Sequence, residues 1–224
     1  MELYEVMRHL SGSRDFHDLD VPDDVIYRAL DSARFAPSGG NRQPWRIVIV
    51  RDSTTKMRLK ELYQAPWDDY VAKRYGPDSE LSEKRKKKLY EGNRFAATME
   101  KTPVFLLVWA DMSELELTDI DLDRPSIVGG GSVYPFVQNL QLAMRNEGVG
   151  TRITTLMVHK ENAVREMVGA PKNTALAAVL LIGYPKHFPT KLSRRPVEDF
   201  AFTEQFGGPP LRAKDTKQDA GGYP

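Results

Sequence analysis

Residues 36–45, APSGGNRQPW, place two adjacent glycines, two prolines and several polar side chains between a predicted helix and a predicted strand. Gly39 and Gly40 leave bare backbone that a flat ligand can approach closely, because glycine has no Cβ. Ser38 and Asn41 supply hydrogen-bond donors and acceptors for the edges of such a ligand. A surface turn would explain the prolines and glycines, but it explains Asn41 less well. A phosphate cradle is disfavoured, because it needs the amides of a following helix and here a strand follows.

The common catalytic motifs are missing from the rest of the chain. Its four histidines show no metal-ligand spacing, so no metal site is expected, and no GxSxG nucleophile elbow is present. Gly148 and Gly150 begin like a dinucleotide fingerprint, but the third glycine is absent and the segment follows a helix. We interpret them as a helix C-terminus and its exit turn. The absence of cysteine excludes disulfides and thiolate chemistry, which leaves redox chemistry to a cofactor.

The composition is that of one globular domain without a general affinity for nucleic acid or membranes. A net charge of +1 gives no overall attraction to polyanions. The apolar runs are too short to span a bilayer, and the first residues lack the apolar core of a secretory signal. We therefore expect a cytoplasmic protein. One basic run, KRKKK at residues 84–88, is interpreted as a solvated helix face.

Helices and strands alternate along most of the chain. Helical spacing of apolar residues predicts three helices, at residues 22–35, 133–145 and 160–168. Ser132 is the expected N-cap of the second helix. Continuous or β-branched apolar runs predict three strands, at residues 46–51, 104–110 and 177–184.

Two segments stand apart from this alternation. Residues 62–102 are long and rich in aromatic and basic side chains, and we interpret them either as a lid over a site or as a peripheral helical pair. Residues 207–224 contain GGPP and GGYP and cannot fold alone, so this tail is either loose or packed on a second subunit. Residues 1–206 are then expected to form a single domain.

Residues 33–52, ARFAPSGGNRQPWRIVIVRD, resemble the N-terminal signature of the nitroreductase family. This family of flavin-dependent enzymes includes nitroreductases, flavin reductases, iodotyrosine deiodinases and flavin-cleaving destructases. Upstream, RHLSGSRDF at residues 8–16 occupies the place of the family's arginine-rich motif. Downstream, GVGTRITT at residues 148–155 and the segment at residues 181–200, which contains LIGYP and KLSRRPVEDF, follow in the expected order. The resemblance covers nearly the whole chain.

The resemblance implies an α+β fold in which a mixed, mainly antiparallel sheet is flanked by helices. It also implies an intertwined homodimer that binds one FMN at each of two subunit-interface sites. The tail at residues 207–224 would then have a partner surface to pack on.

Several cofactor-binding residues follow from the same resemblance. The phosphate of FMN would be met by Arg14, with Arg8 as a further candidate, and by a C-terminal group of Lys191, Arg194 and Arg195. The isoalloxazine ring and ribityl chain would be lined by Pro37, Ser38, Gly39 and Asn41. On the other side of the ring would lie Ile153, Thr154 and Thr155, with the Thr155 backbone N–H reaching the flavin N5. No side chain is predicted to be catalytic, because water or the flavin can supply protons.

The N-terminal segment departs from the family motif. Where many relatives carry a second arginine, this chain has Ser11 or Gly12. The phosphate would therefore depend more on Arg14, Arg8 and the C-terminal basic residues. A hydroxyl at Ser11 or Ser13 could still donate a hydrogen bond.

The function implied is an FMN-dependent oxidoreductase that transfers electrons from NADH or NADPH by a ping-pong mechanism. The acceptor would be small and aromatic, such as a nitro compound or a quinone. The aromatic residues of the 62–102 segment could stack on it or could pack the segment onto the body; they are Tyr63, Trp67, Tyr70 and Tyr75. The alternatives are a reductive dehalogenase of the deiodinase type, a flavin destructase, and a flavin-binding or storage protein without turnover.

Overall fold

The structure, a computed structural model, describes residues 1–75, 81–188 and 192–213. The chain divides into two compact units, Met1–Thr190 and Lys191–Pro224. The tail boundary expected at Gly207 lies inside the second unit. Its described part contains a short 3₁₀ turn at Val197–Asp199 and a bridge between Phe202 and Pro210.

An antiparallel sheet forms the centre of the first unit. Its four strands are β1 (Trp45–Val50), β2 (Val104–Asp111), β3 (Gly150–Thr154) and β4 (Thr174–Gly183), in the spatial order β1-β2-β4-β3. Every pairing between these strands is antiparallel. The parallel part of the expected mixed sheet is reduced, within the described residues, to an isolated bridge between Gly12 and Thr151.

The three strands predicted from apolar runs are confirmed as β1, β2 and β4. Strand β3 was not predicted as a strand, because its sequence GTRIT has two threonines and an arginine instead of an apolar run. The turn before it was predicted correctly. Gly148 has a left-handed φ of 77°, and the Val149 N–H donates to the Met144 carbonyl at 2.8 Å, which closes the helix before β3 begins.

The described residues form six α-helices, which are α1 (Leu3–His9), α2 (Asp23–Ala33), α3 (Ser53–Tyr75), α4 (Glu83–Thr98), α5 (Val133–Asn146) and α6 (Glu161–Val168). The predictions at residues 22–35 and 133–145 are confirmed as α2 and α5. The third predicted helix is α6, preceded by a 3₁₀ turn at Leu156–Lys160. Gly169 ends α6 with a φ of 67°.

Helices cover both faces of the sheet, so the side chains of β2 are buried on both faces. The even-numbered residues of β2, beginning at Val104, face a core that α2 and α5 complete. The odd-numbered residues from Phe105 to Trp109 face a second core, which α3 and α4 complete. Burial on both sides explains why the sequence of β2 is almost continuously apolar.

The 62–102 segment contributes the end of α3 and all of α4 to the second core. Tyr63, Trp67 and Phe95 are buried there, and the Trp67 Nε1–H donates to the Asn93 side chain at 2.8 Å. Aromatic side chains at Tyr63 and Trp67 therefore pack this helical pair onto the sheet. Tyr70 keeps 40% of its surface exposed. The lid interpretation stays a prediction.

The N-terminal segment, residues 10–16, lies along the outer edge of β3. The Ser13 N–H donates to the Thr151 carbonyl at 2.8 Å. Gly150 allows this approach, because a Cβ there would meet the Ser13 Oγ at 2.5 Å and ring carbons of Pro185 at 3.0 Å. Backbone hydrogen bonds hold the segment, and the missing side chain at Gly150 leaves room for it.

Replacing Gly150 with alanine is expected to lower the free energy of unfolding by about 1–3 kcal/mol, because the added methyl group overpacks this contact. Denaturant unfolding of the purified protein measures the change. Gly12→Ala is the matched control, because its Cβ would meet only the Arg152 Nη1 at 3.9 Å. Equal midpoints for Gly150→Ala and the wild type would contradict the close approach.

Candidate functional site

The loop at residues 36–44 has an unusual backbone. Gly40, Asn41 and Gln43 have left-handed φ values of 58°, 55° and 52°, and two of these three residues carry a Cβ that disfavours this conformation. Hydrogen bonds hold the loop: the Gln43 N–H donates to the Ser38 Oγ at 3.1 Å, and the Gln43 Nε2 donates to Asn41 at 3.2 Å. Ser38 and Asn41 therefore use part of their hydrogen-bonding capacity within the loop. Unusual backbone held in this way is common at ligand sites.

Residues at the start of α5 and on α5 itself contact the loop and its flanking tryptophan. The Gly39 N–H donates to the Ser132 Oγ at 3.1 Å, and the ring of Trp45 stacks on Phe136 with centroids 4.8 Å apart. Ser132 lies at the N-cap position of α5 as predicted, but its side chain makes no capping hydrogen bond. Its hydroxyl accepts from the loop instead.

Gly39 is not required by packing within the chain. A Cβ on Gly39 would meet the Ser132 Oγ at 3.9 Å, which is ordinary van der Waals contact. Pro37, Gly39 and Asn41 are exposed and Ser38 is half-buried. The predicted ring-lining residues of this loop thus form an accessible surface.

The backbone of β3 beyond Thr151 forms an open edge. In an antiparallel ladder, alternate residues direct both backbone groups to the same neighbour. The Thr151 carbonyl faces the N-terminal segment, so Ile153 and the N–H of Thr155 face the same outer side. Among the described residues, no strand pairs with this edge.

Side chains on β3 separate into outward and inward groups. Ile153 is 39% exposed and Thr155 is also exposed. Thr154 is buried, and its hydroxyl donates to the Tyr63 hydroxyl at 3.3 Å. Burial raises the pKa of that tyrosine, which keeps it neutral. The side chain of Thr154 therefore faces the second core, and only its backbone lies at the open edge.

A small cavity of about 140 Å³ lies beside the N-terminal segment. It is lined by Gly12, Arg14, Asp15, Glu91, Arg94 and His187. Arg14 pairs with Glu91 at 2.8 Å, and Arg94 makes two hydrogen bonds to Asp15 at 2.7 and 2.6 Å. The Arg94 hydrogen bond lowers the pKa of the Asp15 carboxyl. Both arginines of the cavity are therefore already paired with carboxylates.

Three buried polar atoms along the N-terminal segment and β3 have no hydrogen-bond partner among the described residues. They are the Ser11 Oγ, the Ser13 Oγ and the Arg152 Nε. Buried polar groups are nearly always paired in folded proteins. Buried polar atoms without partners, one of them on a guanidinium, fit a nearby polar, anionic ligand such as a flavin nucleotide. Sequence reasoning missed Arg152, because a single arginine in a polar stretch has no distinguishing pattern.

The other predicted phosphate ligands are exposed or lie outside the described residues. Arg8 is exposed on α1. Arg194 and Arg195 belong to the second unit, where both are exposed and the Arg194 Nη1 donates to the neighbouring Ser193 carbonyl at 2.8 Å. Lys191 lies outside the described residues.

The sheet places the two halves of the predicted ring site at opposite edges. The 36–44 loop leads into β1, whereas Ile153 and Thr155 belong to the β3 edge. Three strand spacings of about 4.8 Å separate these edges, or roughly 14 Å. Arg14 and Thr151 lie on the β3 side, joined through Ser13.

Two kinds of site are absent from the described residues. They bring together no group of three histidine or carboxylate side chains that could hold a metal ion. Within the same residues, every helix is too short or too polar to cross a lipid bilayer.

Comparison with known proteins identifies the family. The sequence profile of the Nitroreductase family matches residues 11–184. A Bacillus subtilis protein named provisionally as an NAD(P)H nitroreductase, YfhC, is 29% identical over 203 residues, covering 90% of this chain and 93% of that protein. Iodotyrosine deiodinase 1 of Rattus norvegicus is 24% identical over 204 residues, covering 90% and 69% of the two chains.

Solved structures share the fold. A crystal structure of oxidized iodotyrosine deiodinase bound to FMN and 3-iodo-L-tyrosine superposes with a TM-score of 0.70 at 24% identity, covering 92% of this chain and all of that one. Because the profile spans more than half of the chain, from the N-terminal segment through β4, this protein belongs to the nitroreductase family.

Proposed function

We propose that this protein is an FMN-dependent oxidoreductase, which takes electrons from NADH or NADPH and passes them to a small acceptor by a ping-pong mechanism. The observation that carries the proposal is the open outer edge of β3 at Ile153 and Thr155, bordered by Arg14 and by unpartnered polar atoms. Family membership, and relatives whose names describe NAD(P)H nitroreductases and FMN-bound proteins, support it.

The chain's own residues hold and orient the cofactor in this proposal. Thr155 donates its backbone N–H to the flavin ring, and Ile153 packs on the ring. Arg14 exchanges part of its pairing with Glu91 for the anionic end of FMN, joined by Arg8 or by the C-terminal basic residues Lys191, Arg194 and Arg195. Bound FMN supplies hydride exchange. No side chain is proposed as a general acid.

The site is proposed to need two copies of the chain. A ring contacted on both faces needs lining groups only about 7 Å apart, at twice the van der Waals distance. The loop with Pro37, Ser38, Gly39 and Asn41 leads into the far edge of the sheet. A second copy can bring its loop to the β3 edge of the first. Exposed apolar side chains on α1, at Leu3, Tyr4 and Met7, suit such an interface.

The acceptor is proposed to be a nitro compound or a quinone. Tyr63 and Trp67 are buried in the second core, so the exposed Tyr70 is the better candidate for stacking on an aromatic acceptor. Reductive dehalogenation is the second candidate, favoured by the similarity to iodotyrosine deiodinase. A flavin-binding protein without turnover is the third.

Anaerobic addition of NADH or NADPH to the FMN-loaded protein is expected to bleach the flavin absorbance. A nitroaromatic compound or a quinone should then restore it. Absorbance spectroscopy follows both steps, and a 3-iodotyrosine arm tests the dehalogenase reading. Retained FMN without bleaching by either nucleotide would favour the non-catalytic reading, and failure to bind FMN would refute the whole proposal.

Gly39→Ala is expected to weaken FMN binding about tenfold or more, because a methyl group would stand between the ring and the loop backbone. Stability should stay unchanged or rise by about 0.4–1 kcal/mol, since the variant restricts the unfolded chain. Gly40→Ala is the comparison variant. Gly40→Ala should lower the free energy of unfolding, because Gly40 has a left-handed φ of 58° that a residue with a side chain disfavours. Wild-type affinity in a folded Gly39→Ala protein would remove this loop from the site.

Mixed dimers test the shared site. Gly39→Val and Arg14→Glu should each abolish FMN binding in homodimers, because each alters one half of both sites. Co-expression of the two variants should restore about one quarter of the wild-type sites, since half of randomly formed dimers are mixed and one of their two sites is intact. Bound FMN per chain is the measurement. No recovery in a purified mixed dimer would place both halves in one copy.

A further inference from the structure

Arg152 occupies an unusual position on β3. Its side chain points away from the outward face of Ile153, toward the second core, where its guanidinium carbon lies 4.1 Å from the centroid of the Phe95 ring. Its Nη1 lies 3.9 Å from the point that a Cβ on Gly12 would occupy. The guanidinium therefore fills space beside the N-terminal segment, at the residue where that segment has no side chain.

This guanidinium has no ion-pair partner of its own in the described part of the chain, because the nearby carboxylate of Glu91, which raises the pKa of Arg152, pairs with Arg14. No carboxylate forms an ion pair with it, and its buried Nε has no hydrogen-bond partner. Burial, and next the nearby Arg14, lower the pKa of Arg152 to about 10, so it still carries its charge at neutral pH. A mostly buried charge without a partner is costly. Contact with Phe95 offsets only part of that cost.

The surroundings of Arg152 favour an anion as the missing partner. The two hydroxyls of Ser11 and Ser13 are buried on the same segment without partners. Arg14 adds a second guanidinium, which makes the unpaired charge less favourable still. An anion bound here would satisfy charge and hydrogen bonds together.

We propose that Arg152 binds the phosphate of FMN and supplies, from β3, the arginine that the N-terminal segment lacks at Ser11 or Gly12. The inference rests on the proposed function. Gly12 lies beside this guanidinium, because a Cβ there would be in van der Waals contact with the Arg152 Nη1. The ligand chemistry is a phosphate monoester dianion, recognised by the planar donors of an arginine.

Titrations of Arg152→Gln with FMN and with riboflavin test the assignment, because riboflavin lacks the phosphate. The dissociation constant for FMN is expected to rise about ten- to a hundredfold through loss of a charge-assisted contact. The constant for riboflavin should change far less. Quenching of flavin fluorescence reports both constants without any turnover.

Two further variants, one conservative and one a control, complete the test. Arg152→Lys preserves the charge and should lose less FMN affinity than Arg152→Gln, so it serves if the glutamine variant fails to fold. Arg165→Gln is the matched control, because Arg165 also lies over an aromatic ring, Trp109, with a buried unpartnered Nε, but pairs with Glu161. Its FMN affinity should equal that of the wild type.

The outcomes separate this inference from the proposed function. Wild-type FMN affinity in the Arg152 variants, or equal losses for FMN and riboflavin, would overturn the role of Arg152 and leave the proposed function standing. A wild-type protein that binds no FMN would overturn both.

Discussion

The pairing of the N-terminal segment with β3 is the contact on which the candidate site depends. One hydrogen bond, from the Ser13 N–H to the Thr151 carbonyl, fixes the register. Because alternate residues of a strand face the same side and β4 pairs along the inner edge of β3, Ile153 and Thr155, like Thr151, present their backbone to the outer edge. The hydrogen bond also sets Gly12 beside Arg152. The absence of a side chain at Gly150 leaves room for this approach, because a Cβ there would meet the Ser13 Oγ at 2.5 Å.

Sheet topology imposes the second constraint. The order β1-β2-β4-β3 puts the loop before β1 and the open edge of β3 on opposite sides of a buried pair of strands. Neither half can move toward the other without breaking the two cores, because β2 is buried on both faces. In the proposed site, a ring held between these halves would need a second chain, and the exposed apolar side chains of α1 offer a surface for it.

Sequence patterns predicted the elements whose apolar periodicity is strong and missed those defined by tertiary contacts. Helices α2 and α5 and strands β1, β2 and β4 follow from periodicity, and the signature at residues 33–52 led to the family. Strand β3 has no such periodicity, and pairing with β4 alone makes it a strand. The hydroxyl of Ser132 looked like a helix cap, because nothing in the sequence shows that Gly39 would reach it. For the same reason the sequence could not distinguish Arg152 from a surface arginine.

Charge balance limits what the β3 side of the site can do alone. Arg14, Arg94 and Arg152 bring three positive charges, and Glu91 and Asp15 offset two of them through ion pairs. The remaining guanidinium is that of Arg152, and Lys186 is a further cation near Asp15, whereas a phosphate monoester carries a charge of about −1.5 to −2 at neutral pH. Arg152 alone would leave bound phosphate undercompensated, so at least one more cation is needed. Arg194 and Arg195 are exposed and have no ion-pair partner among the described residues. In the proposed site, the N-terminal segment, which has no arginine at Ser11 or Gly12, would therefore bind phosphate only together with the charge of β3 and of a further cation.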